Sequence, residues 1–166
     1  MTAKLSTRTP NNKKRNGNKN KKENLDERPI DGDLFCLTNT TNYYKFLKVA
    51  LNYADTICLT FNGRYKEFIE LDRNSLAESL KGHKITNQTA VTIGPTVCLL
   101  YFRIDSNMRK WLNRKRHIYD FYSDEEWLED LCLLKDEQVI FASCTHEEFC
   151  YVDKKLADML GKMIDS

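Results

Sequence analysis

At 166 residues the chain is long enough for one domain with a substantial core and too short to expect two. Its net charge of +2 conceals a division: residues 1–22 hold eight cations and no carboxylate, leaving 18 basic against 24 acidic groups over residues 23–166, a net of −6. The apolar runs are one strand long, far below the roughly 20 residues that cross a bilayer, and residues 1–22 lack the apolar stretch of a secretory signal, so the composition reads as a cytoplasmic protein with no membrane partner.

Residues 1–33 are dominated by Lys, Asn, Thr and Arg, the composition of a disordered basic arm, and a single domain is expected over 34–166. "LFCLT" reads as a short first strand. In "TNYYKFLKVALNYA" the spacing of Tyr44, Leu47, Leu51 and Ala54 predicts an amphipathic helix capped by Thr41 or Asn42. "TICLTF" and "YKEFIEL" flank Asn62-Gly63, which predicts two antiparallel strands joined by a tight turn.

Asp72 or Asn74 is expected to cap a short helix through Leu76 and Leu80 that Gly82 ends. Gly94-Pro95 breaks the chain, and "TVCLLYFRI" then reads as a strand buried on both faces. Asp105 or Ser106 starts a helix with Met108, Trp111 and Leu112 on one side. Ser123 and Glu126 have the spacing of a capping box, so "SDEEWLEDLCLLKDEQ" predicts a helix with Trp127, Leu128, Leu131, Cys132 and Leu134 inward. "VIFASC" and "FCYVD" read as paired strands, and Asp153 caps a last helix bearing Leu156, Met159, Leu160, Met163 and Ile164. The sum is an α+β fold: a mostly antiparallel or mixed sheet of about six strands with about five helices packed on it.

The heptad "CTHEEFC" is the densest cluster of reactive side chains. As a zinc site it would use Cys144, His146 and Cys150 with Cys132, but the fourth ligand must then come from the inward stripe of a helix, not from a tight Cys or His pair. A hairpin is the preferred reading, with Cys144 opposite Cys150 on one face of the pleat and His146, Glu147 and Glu148 at the tip. Neither thiol suits a nucleophile, because Glu147 and Glu148 favour a protonated His146 that cannot accept a proton. The six glycines never cluster, which excludes the P-loop and dinucleotide fingerprints. No cofactor is expected. The six cysteines read as small buried hydrophobes in a reducing compartment.

Two readings of function remain. The first is a small cytosolic, non-enzymatic protein-interaction module that meets a basic protein surface through an acidic, tyrosine-bearing face; an inhibitor or immunity-type partner of a basic protein is one form of it. Its candidate contacts are Tyr119, Tyr122, Glu147 and Glu148, among the aromatics Tyr43, Tyr53, Tyr65, Tyr119, Tyr122 and Phe149 expected at or near the surface. The alternative is a nucleic-acid-associated protein. It would use the arm, with Lys13, Lys14 and Arg15, for non-specific affinity, and a basic helix carrying Arg109, Lys110, Arg114, Lys115 and Arg116 around Trp111.

Overall fold

Thr56–Phe61 (β1) is buried at all six positions and forms the middle of a six-stranded sheet. The structure, a computed structural model, describes residues 37–72, 75–121 and 127–164; the expected arm lies outside them. The other strands are Leu80–Gln88 (β2), Ile93–Arg103 (β3), Leu128–Lys135 (β4), Gln138–Cys144 (β5) and Phe149–Val152 (β6). In space they run β2-β3-β1-β4-β5-β6, each antiparallel to its neighbours. The described helices are Thr40–Tyr53 (α1), Tyr65–Leu71 (α2), Ser106–Leu112 (α3) and Lys154–Ile164 (α4). The α+β class is as expected, with four described helices rather than five.

Alternation along the strands divides the side chains between two faces. Ile57, Leu59 and Phe61 of β1, Cys98, Leu100 and Phe102 of β3, and Leu131 and Leu133 of β4 join Phe46, Leu47, Phe68, Trp111 and Leu156 of the four helices in the main core. The opposite face carries a smaller apolar cluster of Cys58, Val97, Leu99, Cys132 and Ala142, with no helical residue in it. Among the described residues the helices therefore cover one face of the sheet and leave the other open.

Side-chain caps explain where most helices begin. The Asn39 side-chain oxygen accepts from the N–H groups of Thr41 at 2.9 Å and Asn42 at 3.2 Å, so the α1 cap falls before the expected Thr41 or Asn42. The apolar stripe is rotated too: Tyr43 is buried, donating its hydroxyl to the Leu112 carbonyl at 3.0 Å, and Tyr44 is exposed. Asp105 caps α3 by accepting from Met108 N–H at 3.0 Å, and Asp153 caps α4 by accepting from Leu156 N–H at 2.7 Å, both as predicted.

Several expectations are overturned. "YKEFIEL" is helix α2, because Glu67 at its third position accepts from Arg64 N–H at 2.8 Å and binds the Arg64 side chain at 3.0 Å, satisfying donors at the helix start. Asn62-Gly63 turns the chain from strand to helix. Gly63 is required there by space: a Cβ would lie 2.6 Å from the Phe61 ring and 2.8 Å from Glu67 Oε2. The expected helix from Asp72 is a single 3-10 turn, Leu76–Ser79, for which Asp72 accepts from Leu76 and Ala77 N–H groups. Gly82 ends no helix and instead sits in β2, opposite Tyr101. Gly94-Pro95 does not break the chain but belongs to β3, near an irregular pairing at the outer end of the β2–β3 hairpin, where a missing N–H is tolerated.

The largest correction is β4. Leu128–Lys135 is a strand between β1 and β5, although its leucines, acids and lysine favour a helix; pairing on both sides overrides that preference. The two-residue turn into β5 is Asp136-Glu137, with φ of 49° and 65°, the left-handed pair of a type I′ hairpin. The proposed capping box at Ser123 and Glu126 lies outside the described residues. So does most of the expected strand "LFCLT", of which Leu37 and Thr38 form a turn.

Three structural carboxylates make the fold acid-sensitive. The Asp136 N–H, with a further hydrogen bond from the Thr56 hydroxyl, holds Asp55 below its ordinary pKa. Burial raises Asp105 and Asp120, but this is outweighed for Asp105 by Met108 N–H and the Ser79 hydroxyl and for Asp120 by Arg116, so both end lowered. Depressed folded values mean stability fully present above the unfolded carboxylate range and lost as pH falls through the folded values. Urea midpoints are expected to be constant from neutrality down to about pH 5 and to fall below about pH 4, with a shallower fall in Asp55→Asn.

Candidate groove on the open sheet face

β3 is longer than β1, so the β2–β3 hairpin runs on past Phe61, whose partner is Cys98. Its tip turns back over the open face. Thr89 accepts from Thr92 N–H at 2.9 Å and Val91 N–H at 3.2 Å, which fixes the tip, and Thr89, Ala90 and Val91 line the same cleft as Leu99 and Ala142. Beneath this overhang lie two adjoining hollows. One, of about 120 Å³, is apolar, floored by Cys58, Leu99, Cys132 and Ala142. The other, of about 360 Å³, is lined by Thr60, Ile93, Val97, Glu129, Asp130, His146 and Glu147. Thr60, Thr89 and Asp130 line both, joining them into one groove with an apolar and an acidic end.

A β-bulge creates the acidic end. Cys58 pairs with Cys132 and Thr60 with Glu129, so two steps on β1 match three on β4, and Asp130 takes φ of 51°. Leu131 and Leu128 both remain in the main core, and the consecutive Glu129 and Asp130 both face the groove. Glu129 is only 7 % exposed, and its carboxylate lies 2.8 Å from His146 Nε2; a buried carboxylate without such a partner would be costly. Asp130 accepts from Thr145 N–H at 2.7 Å while its own N–H donates to Thr145 Oγ1 at 3.1 Å, tying the bulge to the β5–β6 loop.

That loop is the CTHEEFC heptad. Its four central residues, Thr145–Glu148, make Cys144 the partner of Phe149 and Cys150 the partner of Ser143. The expected Cys144–Cys150 pairing on one face is thus overturned: the even loop length places the two thiols on opposite faces. Cys144 lines the acidic hollow, while Cys150 packs toward the helices and accepts a hydrogen bond from Tyr119. Among the described residues no group of three or more His, Cys, Asp or Glu side chains is arranged to hold a metal ion. Burial pushes the Cys132 thiol up to about 12 and raises Cys58, Cys98, Cys144 and Cys150. These thiols are protonated at neutral pH, unlike an activated nucleophile.

The basic segment is partly drawn into the fold. Lys115 is 3 % exposed, its ammonium 4.3 Å from the Trp111 ring centroid and 5.5 Å from that of Phe121. Arg109 donates to the Leu51 carbonyl at 2.8 Å, and Arg116 pairs with Asp120 at 3.2 Å. Lys110 and Arg114 are exposed. Lys13, Lys14, Arg15 and Tyr122 lie outside the described residues. Glu147 and Glu148 are exposed on the loop, with Glu147 at the groove, whereas Tyr119 packs against the helix-side core.

The sequence singles out His146, Glu147, Cys132 and Cys144 among the groove residues but not Thr60, Leu99 or Tyr101. These residues come from strands far apart in sequence, and reading β4 as a helix hid their common face. No family model matches the chain, and no curated protein or solved structure matches it.

Proposed function

We propose that the protein is a non-enzymatic interaction module, acting in the cytoplasm, whose open sheet face receives an extended, basic segment of another protein. The observation that carries this reading is the groove itself: an apolar floor continuous with an end where Glu129, Asp130 and Glu147 gather. An apolar side chain of the partner fills the hollow above Leu99, and its lysines or arginines meet the carboxylates, which steer encounter and set register. An inhibitor or immunity-type partner of a basic protein fits this charge pattern. The nucleic-acid reading is less favoured, because Lys115 is buried against Trp111, Arg109 is held by the Leu51 carbonyl, and the exposed Arg116 is paired with Asp120.

The test is a panel of extended peptides that alternate apolar residues with either lysine or glutamate, titrated against the full-length protein. Lysine peptides are expected to bind and to weaken as salt rises. Glu147→Lys, on an exposed loop, is expected to weaken them about tenfold, or about 1.4 kcal/mol, with an unchanged circular dichroism spectrum. Equal binding of both peptide classes would overturn the reading, as would single-stranded nucleic acid binding that persists at moderate salt and is lost in Lys110→Glu/Arg114→Glu.

A further inference from the structure

Across the middle of the open face, four residues stand in one row on four strands. Tyr101 is opposite Cys58, Cys58 opposite Cys132, and Cys132 opposite Ala142. Directly opposite residues of an antiparallel pair hold their Cβ atoms about 4.5–5.5 Å apart on the same face, so the two sulfurs share one floor. The small Ala142 side chain leaves the flank of Cys132 open, and the apolar hollow lies above both. The Tyr101 hydroxyl donates to the Cys58 sulfur. One pleat along β1, Lys81 Nζ lies 2.8 Å from Thr56 Oγ1.

We propose that Cys58 and Cys132 form a two-coordinate site for a soft monovalent cation of the copper(I) class. Thiolates select soft ions, and two sulfurs with no third His, Cys, Asp or Glu arranged beside them among the described residues suit neither the tetrahedral set of zinc nor the oxygen shell of a hard cation. On binding, the cation forms two metal–sulfur bonds, each thiol S–H bond breaks, and both protons pass to solvent; no electron is transferred. The resulting dithiolate complex carries one negative charge, toward which the Tyr101 hydroxyl donates. The remaining described cysteines lack such a partner: Cys98 faces Phe61, Cys144 faces Phe149 and Cys150 faces Ser143. The site is independent of the acidic end of the groove, so its failure would leave the peptide-binding reading intact.

The experiment uses full-length, reduced protein under anaerobic conditions, with copper(I) supplied as its complex with the chromogenic chelator bicinchoninate. The protein is expected to withdraw one equivalent, and Cys58→Ser and Cys132→Ser each to weaken binding by at least about 100-fold, more than loss of a supporting contact typically costs. Cys144→Ser and Cys150→Ser are expected to bind as the parent does. A second measurement needs no variant: alkylation mapping of the parent protein with and without copper(I) is expected to show protection at Cys58 and Cys132 alone. No withdrawal, binding that survives in Cys58→Ser/Cys132→Ser, protection at Cys36 or any other cysteine, or stoichiometric zinc(II) uptake by the same two thiols would each overturn the proposal.

Discussion

Leu133→Ala is expected to destabilise the protein by about 2–5 kcal/mol, the range for removing a buried leucine side chain where the surroundings relax only partly. Trp127→Ala is expected to cost less than about 0.5 kcal/mol, as exposed substitutions usually do. Leu133 lies on β4 with no solvent exposure, opposite Ile57 and Phe141, whereas Trp127 is 61 % exposed just before the strand. The helical pattern predicts the reverse order, since it turns Trp127 inward and leaves Leu133 outside the apolar stripe. Urea denaturation of the two variants therefore distinguishes strand from helix at the centre of the sheet. A greater loss in Trp127→Ala would contradict β4.

Asp105→Ala is expected to cost about 2–4 kcal/mol, combining a lost helix cap with a buried hydroxyl left without its acceptor. One carboxylate oxygen of Asp105 accepts both from Met108 N–H, at the start of α3, and from the Ser79 hydroxyl at 2.9 Å, on the turn before β2. Ser79 has no solvent exposure, so water cannot replace the lost acceptor without rearrangement. Arg103 of β3 lies 3.7 Å from the other oxygen, a partly exposed pair of minor weight. Asp105→Asn retains a carbonyl oxygen at the same place and is expected to lose less than half as much in the same denaturation series. Equal losses would assign the effect to charge rather than to the two hydrogen bonds.

What could be read from the sequence was local. The caps at Asp105 and Asp153, the buried runs of β1 and β3, and the β5–β6 hairpin follow from neighbouring residues, and all appear in the structure. What could not be read depended on partners distant in the chain. β2 is an edge strand with no buried position, so it lacks an apolar pattern to reveal it. β4 has the composition of a helix and becomes a strand only between β1 and β5. The groove was the least legible feature, because its floor is assembled across strands and its acidic end depends on one irregular pairing.

That irregularity has a consequence for length as well as for charge. In a two-residue repeat, a single additional position is a half-period shift, and here it keeps Leu128 and Leu131 in step with the core on either side of the offset. Removing Asp130 altogether would therefore do more than delete a carboxylate. It would put the two halves of the strand out of phase, so that either Leu128 or the leucines beyond it would have to turn toward water; at this position the number of residues is constrained more tightly than their identity.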